Sequence, residues 1–181
     1  ALASVKFDEK QLSTACAMQS HITHHNHLSD AAVECVVKMI HLGLSGTDKF
    51  QMRSGPVEEL VSNFPRFDFS TKYHKNPSAY IVDTMKVVLQ SFFSTTSFEE
   101  CLVDVVNRGG DADTTGAIAG MIAGAYYGLS EVPDRWLKSL NRSVYEKCIN
   151  QATVLANWKV WPLCENSDQP SENDKLVKAI D

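Results

Sequence analysis

The sequence lacks the features of several classes of protein. It has no apolar run of about 18 residues, so we predict no membrane span. It also has no excess of positive charge, because 17 lysines and arginines face 22 aspartates and glutamates and give a net charge of −5. Proteins that bind nucleic acid through its backbone present a basic face, so we expect no nucleic-acid partner.

The cysteines lack the spacing of a disulfide framework or of a zinc site. They are five, an odd number, at scattered positions: Cys16, Cys35, Cys101, Cys148 and Cys164. We interpret them as reduced thiols, which predicts a cytoplasmic location.

The chain has enough apolar residues for one core, since 44% of its 181 residues are hydrophobic. Apolar residues recur at helical spacing in successive segments, which predicts a series of helices. We therefore predict one compact multi-helix domain over residues 1–163, followed by a polar tail over residues 164–181.

Capping residues and glycines predict where the first helices begin and end. Asp8 is the expected cap of the first helix. Ser29 and Asp30 are the expected caps of the second, which Gly43 and Gly46 should end.

Proline and serine mark later boundaries. Pro56 suits the first turn of a short helix. Residues 65–78 show no periodicity, and a loop of this length either borders a binding site or is a mobile surface connection. Another helix should begin at Tyr80, and Ser97 with Glu100 should form a capping box for the next. The helix that begins at Tyr80 should turn four apolar residues inward: Val82, Met85, Leu89 and Phe92.

Four histidines are crowded into the segment HITHHNH: His21, His24, His25 and His27. No cysteine or acid lies at ligand spacing from them, so we expect a turn between two helices rather than a zinc site.

The stretch NRGGDADTTGAIAG, residues 107–120, combines acids, threonines and glycines within a few positions. Asp111, Asp113 and Thr114 can aim hard oxygen ligands at one point, and Mg²⁺ and Mn²⁺ prefer such ligands. The following residues are small and apolar and contain no proline, so a helix should begin near Thr114. Its positive end would lie beside the acids and any bound anion.

The D-x-D-T pattern has three alternatives to a Mg²⁺ or Mn²⁺ site. A simple helix cap accounts for an acid cluster equally well. A calcium-binding EF-hand is excluded, because Ile122 occupies the twelfth loop position where a glutamate is needed. Aspartate-based phosphotransferases carry the pattern after a buried strand, whereas the residues before it here have helical spacing.

Glycines recur every four residues in the predicted central helix: Gly116, Gly120, Gly124 and Gly128. Each glycine inside a helix costs roughly 1 kcal/mol relative to alanine, so helix propensity does not explain them. We interpret them as a stripe at which a neighbouring helix approaches until the two backbones nearly touch.

The segment from Tyr80 to Leu137 resembles the C-terminal half of the ADP-ribosylglycohydrolases, and G-G-D-A-D-T-T-G-A is its most specific part. Within that family it is most similar to the dinitrogenase-reductase-activating type. The resemblance implies an all-helical fold with a binuclear Mg²⁺ or Mn²⁺ centre. It also implies hydrolysis of the N-glycosidic bond between ADP-ribose and a modified protein side chain, for which we expect arginine.

The resemblance assigns roles to particular residues. Asp111 and Asp113 would be catalytic and would bind metal, with Thr114 as a further ligand. Four residues would contact the substrate: His24, Tyr80, Gly109 and Gly110. Tyr80 has an alternative role as a buried structural aromatic.

Members of this family are considerably longer than this chain. Their N-terminal half supplies a further glycine-rich G-D-A segment and a Thr-Asp-Asp ligand set, and this chain has neither. We therefore expect a fragment, or one part of a split protein, whose partners are the missing half, a second copy and an ADP-ribosylated protein. The alternative functions are a non-catalytic module that binds ADP-ribose or a partner, and an inactive fragment of the hydrolase.

Overall fold

The computed structural model describes residues 1–157, and every regular element in that range is helical. The α-helices of this range are α1 Glu9–Ser20, α2 His27–Leu44, α3 Lys49–Met52, α4 Glu58–Asn63, α5 Ile81–Ser94, α6 Phe98–Asn107, α7 Ala112–Tyr127, α8 Asp134–Ser139 and α9 Arg142–Ala156. The shorter elements are the 3₁₀ turns Leu2–Ser4, Pro65–Phe67 and Leu129–Glu131 and a π-helical turn, Arg53–Val57. The predicted all-α fold is confirmed. The predicted tail, 164–181, and Cys164 lie outside the described residues.

Helix α7 lies at the centre of the domain, packed against α2, α5 and α6. Small apolar residues occupy nearly every side of it, and a helix of that composition is stable only when it is largely buried. The four inward positions predicted for α5 are confirmed, since all of them are buried in the main core. Burial of each such side chain contributes roughly 1.5–3 kcal/mol.

The predicted caps are confirmed in part. Asp8 and Gln11 form a reciprocal capping box at α1, with hydrogen bonds of 2.8 and 3.1 Å. Ser97 caps α6 by accepting from the N–H of Glu100 at 3.1 Å. The Glu100 carboxylate, however, accepts from the N–H and hydroxyl of Thr96 at 2.9 and 2.8 Å. In a complete capping box this carboxylate would accept from the N–H of Ser97, so its partner here is one residue earlier in the chain.

The prediction for the start of α2 was wrong. The helix begins at His27, because the Asn26 side chain accepts from the N–H of Leu28 at 2.8 Å. Gly46, with φ of 75°, ends the helix as predicted. Gly43 lies inside α2, where a Cβ would come within 3.1 Å of the backbone of Ala125 in α7. Its role is close contact between two helices rather than termination.

The chain before residue 65 is more helical than predicted. Asp48 caps α3 by accepting from the N–H of Gln51 at 2.8 Å. Pro56 lies in the π-helical turn that joins α3 to α4, so it does not open a separate helix. The non-helical residue is Gly55, because proline disfavours helical geometry in the residue before it.

The glycine stripe of α7 faces α6, but not through backbone contact. A Cβ on Gly116 would lie 3.4 Å from a Val106 methyl, and one on Gly120 would lie 3.7 Å from a Leu102 methyl. These are ordinary packing distances to side chains. The prediction that two backbones nearly touch along this stripe was therefore wrong, and Gly43 makes the tighter contact of this kind.

The last described helices cover less of the core. Pro133 directly precedes α8, and Trp136 packs edge-on against Phe98 with ring centres 6.2 Å apart. Helix α9 contacts the N-terminal turn Leu2–Ser4 and buries none of its described side chains. Over residues 1–157, no helix combines the length and the apolar character needed to cross a membrane.

Candidate functional site

Gly109 and Gly110 form the turn that joins α6 to α7. Both have positive φ, 74° and 64°, a conformation that favours glycine. Their backbone lies against the chain's own loop: a Cβ on Gly109 would come 2.7 Å from Oδ1 of Asn76, and one on Gly110 would come 2.2 Å from the carbonyl oxygen of Pro77. These glycines thus allow the turn to pack closely against residues 76–77. Their contact with a substrate stays a prediction.

Asp111 occupies the N-cap position of α7, but its side chain makes no capping hydrogen bond to the helix. Helix capping alone therefore does not explain this acid. Asp113 and Thr114 follow in the first turn and are exposed. A hydrogen bond with Asp111 lowers the pKa of Asp113, and the N–H groups of Asp113 and Thr114 lower it further.

The chemistry of this turn fits a hard cation. Neighbouring carboxylates repel each other, so a cation between Asp111 and Asp113 would stabilise the pair. Asp111, Asp113 and Thr114 offer carboxylate and hydroxyl oxygens of the kind that Mg²⁺ and Mn²⁺ favour. Within residues 1–157, however, no three His, Cys, Asp or Glu side chains converge as a metal site. If these residues bind a metal, the described part of the chain would supply only some of its ligands.

A pocket with a volume of about 470 Å³ opens beside this turn. The end of α1, the turn into α2, the start of α5 and the first half of α7 build it together. Three predicted site residues line the pocket: His24, Tyr80 and Thr114. The other four do not line it: Gly109, Gly110, Asp111 and Asp113. Because Thr114 follows Asp113 directly, the acids and the pocket adjoin.

Short-range hydrogen bonds hold His24 and Tyr80 at the pocket wall. The N–H of His24 donates to the carbonyl oxygen of Ser20 at 2.8 Å, and its Nδ1 lies 2.9 Å from the Thr23 hydroxyl. The N–H of Tyr80 donates to the Ser78 hydroxyl at 3.2 Å, just before α5 begins. Tyr80 is 47% exposed, so its alternative role as a buried structural aromatic is excluded.

The other histidines of the predicted turn make separate contacts. His21 Nε2 lies 2.9 Å from Oδ2 of Asp30, and this hydrogen bond is the main reason why the pKa of Asp30 is lowered. The His21 and His25 rings stack with centres 3.8 Å apart, whereas the His27 ring lies 5.7 Å from that of Phe64. The segment up to Asn26 is a turn between α1 and α2, as predicted.

Sequence reasoning missed a second pocket and a polar cluster. The second pocket, with a volume of about 500 Å³, is lined by Tyr80, His27 and Arg66 among others, so the long loop does border a cavity. The polar cluster joins Gln90 of α5 to Arg108 at the end of α6. No local pattern signals it, because the two residues are far apart in the chain.

Comparison with known proteins identifies the class to which this fold and site belong. The sequence model of the family ADP-ribosylglycohydrolase matches residues 1–170, so the chain belongs to the ADP-ribosylglycohydrolase family. The ADP-ribosyl-[dinitrogen reductase] glycohydrolase of Rhodospirillum rubrum is 43% identical over 137 residues, which are 76% of this chain and 46% of that protein. The ADP-ribosylarginine hydrolase Tri1 of Pseudomonas putida (strain GB-1) is 30% identical over 130 residues, which are 67% of this chain and 34% of that protein.

A solved structure described as an ADP-ribosylglycohydrolase-related protein complex has the same fold. It matches with a TM-score of 0.75 and 30% identity, and the match covers 86% of this chain and 55% of that chain. The chain thus spans about half the length, or less, of these relatives. The resemblance inferred from Tyr80 to Leu137 is confirmed, including the similarity to the type that acts on dinitrogen reductase.

Proposed function

We propose that this protein is a metal-dependent hydrolase that removes ADP-ribose from modified protein side chains, with ADP-ribosyl-arginine as its substrate. One observation carries the proposal: the turn that holds Asp111, Asp113 and Thr114 adjoins a pocket that His24 and Tyr80 also line. The names of the two curated relatives support the reaction, and that of the Pseudomonas putida protein supports arginine.

The two acids have an electrostatic role in this proposal. Cleavage at the anomeric carbon of a ribose develops positive charge on the sugar ring, and nearby carboxylates stabilise it. Asp111 and Asp113 lie at the surface beside the pocket, where they can face such a ring. Together with Thr114 they would hold Mg²⁺ or Mn²⁺, which supplies Lewis-acid polarisation of water or of the ribose hydroxyls.

The N-terminal end of α7 provides a second favourable electrostatic interaction. This helix has 16 residues, and its first N–H groups point towards the turn that carries the acids. The positive end of a helix stabilises anions, so it would favour the diphosphate of ADP-ribose as well as the two carboxylates. The imidazole of His24 and the exposed ring of Tyr80 would then contact the ribose in the pocket.

A turnover assay on the protein expressed from its complete reading frame tests this function. We expect Mn²⁺-dependent release of ADP-ribose from ADP-ribosyl-arginine, loss of release with a chelator, and recovery when Mn²⁺ is added back. Release that persists unchanged in the chelator would contradict the metal dependence.

The second candidate function is binding of ADP-ribose without turnover. It is favoured by the finding that no three metal-binding acids, histidines or cysteines converge within residues 1–157. Calorimetry with free ADP-ribose, combined with the turnover assay, distinguishes the two functions. Binding of ADP-ribose without hydrolysis of ADP-ribosyl-arginine supports the binding module, and hydrolysis supports the enzyme.

A further inference from the structure

The side-chain amide of Gln90 holds three points of the long loop between α4 and α5. Its Oε1 accepts from the N–H of His74 at 3.0 Å, and its Nε2 donates to the carbonyl oxygens of Phe69 and Lys72 at 3.1 and 2.9 Å. The same Oε1 also accepts from the guanidinium of Arg108. One side-chain amide thus provides hydrogen-bond partners for three backbone groups of a loop that has no helical hydrogen bonds there.

Arg108 is the second part of this cluster. Its side chain is 1% exposed and forms an ion pair with Asp104, whose Oδ2 accepts from Nε and Nη2 at 2.9 and 2.6 Å. It also donates to the carbonyl oxygen of His74 at 3.0 Å, and the ring of Tyr73 lies 4.3 Å from the guanidinium carbon. A buried charge is stable only with such partners, so the loop is a required part of the arginine's surroundings.

The clamped loop continues directly into contact with the D-x-D-T turn. The N–H of Asn76 donates to the carbonyl oxygen of Arg108 at 2.7 Å, and the N–H of Asp111 donates to the carbonyl oxygen of Pro77 at 3.0 Å. Only Gly109 and Gly110 separate Arg108 from Asp111, and glycine has the least conformational preference of any residue. The direction of the chain at Asp111 is therefore set by the loop against which it lies.

We propose that Gln90 and Arg108 are positioning residues, which clamp residues 69–77 and thereby fix the backbone at Asp111. Resting on the proposed function, this role deepens it: the Asp111 side chain makes no capping bond to α7, and its partner Asp113 belongs to the same turn, so the backbone of the turn positions both carboxylates. Outer partners of this kind commonly change metal affinity by about 10- to 100-fold when they are lost.

Hydrogen exchange of the 181-residue chain tests the clamp without any metal or substrate. In Gln90→Met, we expect the amides of Asn76 and Asp111 to exchange about tenfold faster, since loss of these hydrogen bonds opens the turn locally. The amides of Ala119 and Ile122 in the core of α7 should keep the protection of the parent. Gln151→Met, on the exposed surface of α9, is the matched control and should change none of these four rates.

Two further variants keep the test decisive. Gln90→Glu retains an acceptor for Arg108 and for the N–H of His74 but loses the donor to Phe69 and Lys72, so exchange at Asp111 should lie between that of the parent and that of Gln90→Met. Tyr73→Ser removes an exposed ring from Arg108, which cannot unfold the core, and should accelerate the amides of Asn76 and Asp111 by a smaller factor. Parental exchange at Asp111 in both Gln90→Met and Tyr73→Ser would overturn the proposal.

A Mn²⁺ titration of the complete protein separates this inference from the proposed function. We expect the Gln90→Met variant to bind Mn²⁺ at least about tenfold more weakly than the parent, with the affinity of Gln90→Glu between the two. Faster exchange at Asp111 with unchanged Mn²⁺ affinity would overturn the positioning role. If the parent binds no Mn²⁺, the metal-dependent function fails, and faster exchange in Gln90→Met would still support the clamp.

Discussion

The carbonyl oxygen of Pro77 lies where a side chain of residue 110 would begin, since a Cβ on Gly110 would be 2.2 Å from it. No packed pair of these atoms comes so close, and φ of 64° at Gly110 adds strain for any other residue. We expect Gly110→Ala to lower the free energy of unfolding by about 1–3 kcal/mol and to displace the loop. Urea unfolding measures the loss, and parental stability in this variant would show that the turn adapts freely.

Gly120 and Gly43 should respond to alanine in opposite ways. A methyl at Gly120 meets only Leu102 at 3.7 Å, so Gly120→Ala should raise the melting temperature through the better helix propensity of alanine, worth up to about 1 kcal/mol. A methyl at Gly43 meets the backbone of Ala125 at 3.1 Å, so Gly43→Ala should lower it. Thermal unfolding of the two variants side by side is the measurement.

The larger change Gly120→Leu should overpack the contact with Leu102 and lower stability by about 1–3 kcal/mol, and a raised melting temperature would contradict this.

His74 should make the stability depend on pH. Burial lowers its pKa from 6.5, as do Lys86, Lys72 and Arg108, whereas Asp83 acts in the opposite direction. The unfolded chain therefore takes up a proton at a higher pH than the folded chain does. Stability is unaffected well above pH 6.5 and falls as the pH drops below that value towards the folded pKa. We expect His74→Gln to flatten the dependence of unfolding free energy on pH between about pH 7 and pH 5. Equal slopes for variant and parent would show that His74 does not contribute.

Local patterns predicted the parts of this fold that depend on neighbours in sequence. The inward face of α5 and the caps Asp8 and Ser97 follow from spacing and residue type alone. The start of α2 was misplaced because Asn26 and Ser29 are both good caps, and the structure uses Asn26. The D-x-D-T turn was recognisable from its composition.

The contacts of Gln90 and Arg108 with the loop could not be predicted from the sequence, for a different reason. Gln90 lies in the amphipathic helix α5 and Arg108 directly follows α6, and their contact depends on how α5, α6 and the loop pack. The position of Gly43 against Ala125 has the same origin. Contacts between elements leave no periodic trace in the sequence, so these features require the structure.

The isolated 181-residue chain should bind Mn²⁺ far more weakly than the complete protein and should not hydrolyse ADP-ribosyl-arginine. Its described residues offer too few ligands for a binuclear site, and the chain covers 46% of its Rhodospirillum rubrum relative. Val103, Val106 and Met121 are also exposed on α6 and α7, so we expect self-association or association with the remaining part of the protein.

The check on this prediction is to assay the chain alone and then mixed with a separately expressed segment that corresponds to the uncovered part of the relative. Size-exclusion chromatography of the same samples reports the association. Full activity of the chain alone would mean that a complete site lies within these residues and that further ligands were overlooked.

The most direct test of the account is the Mn²⁺-dependent hydrolysis of ADP-ribosyl-arginine by Asp113→Asn in the complete protein. Asparagine keeps the size of the side chain but removes the charge that would hold a cation, so we predict that activity is abolished while the helical circular-dichroism signal is unchanged. Asp134→Asn, which changes an exposed acid in the first turn of α8, is the matched control and should retain parental activity. Parental activity in Asp113→Asn would contradict the metal-binding role of the D-x-D-T turn.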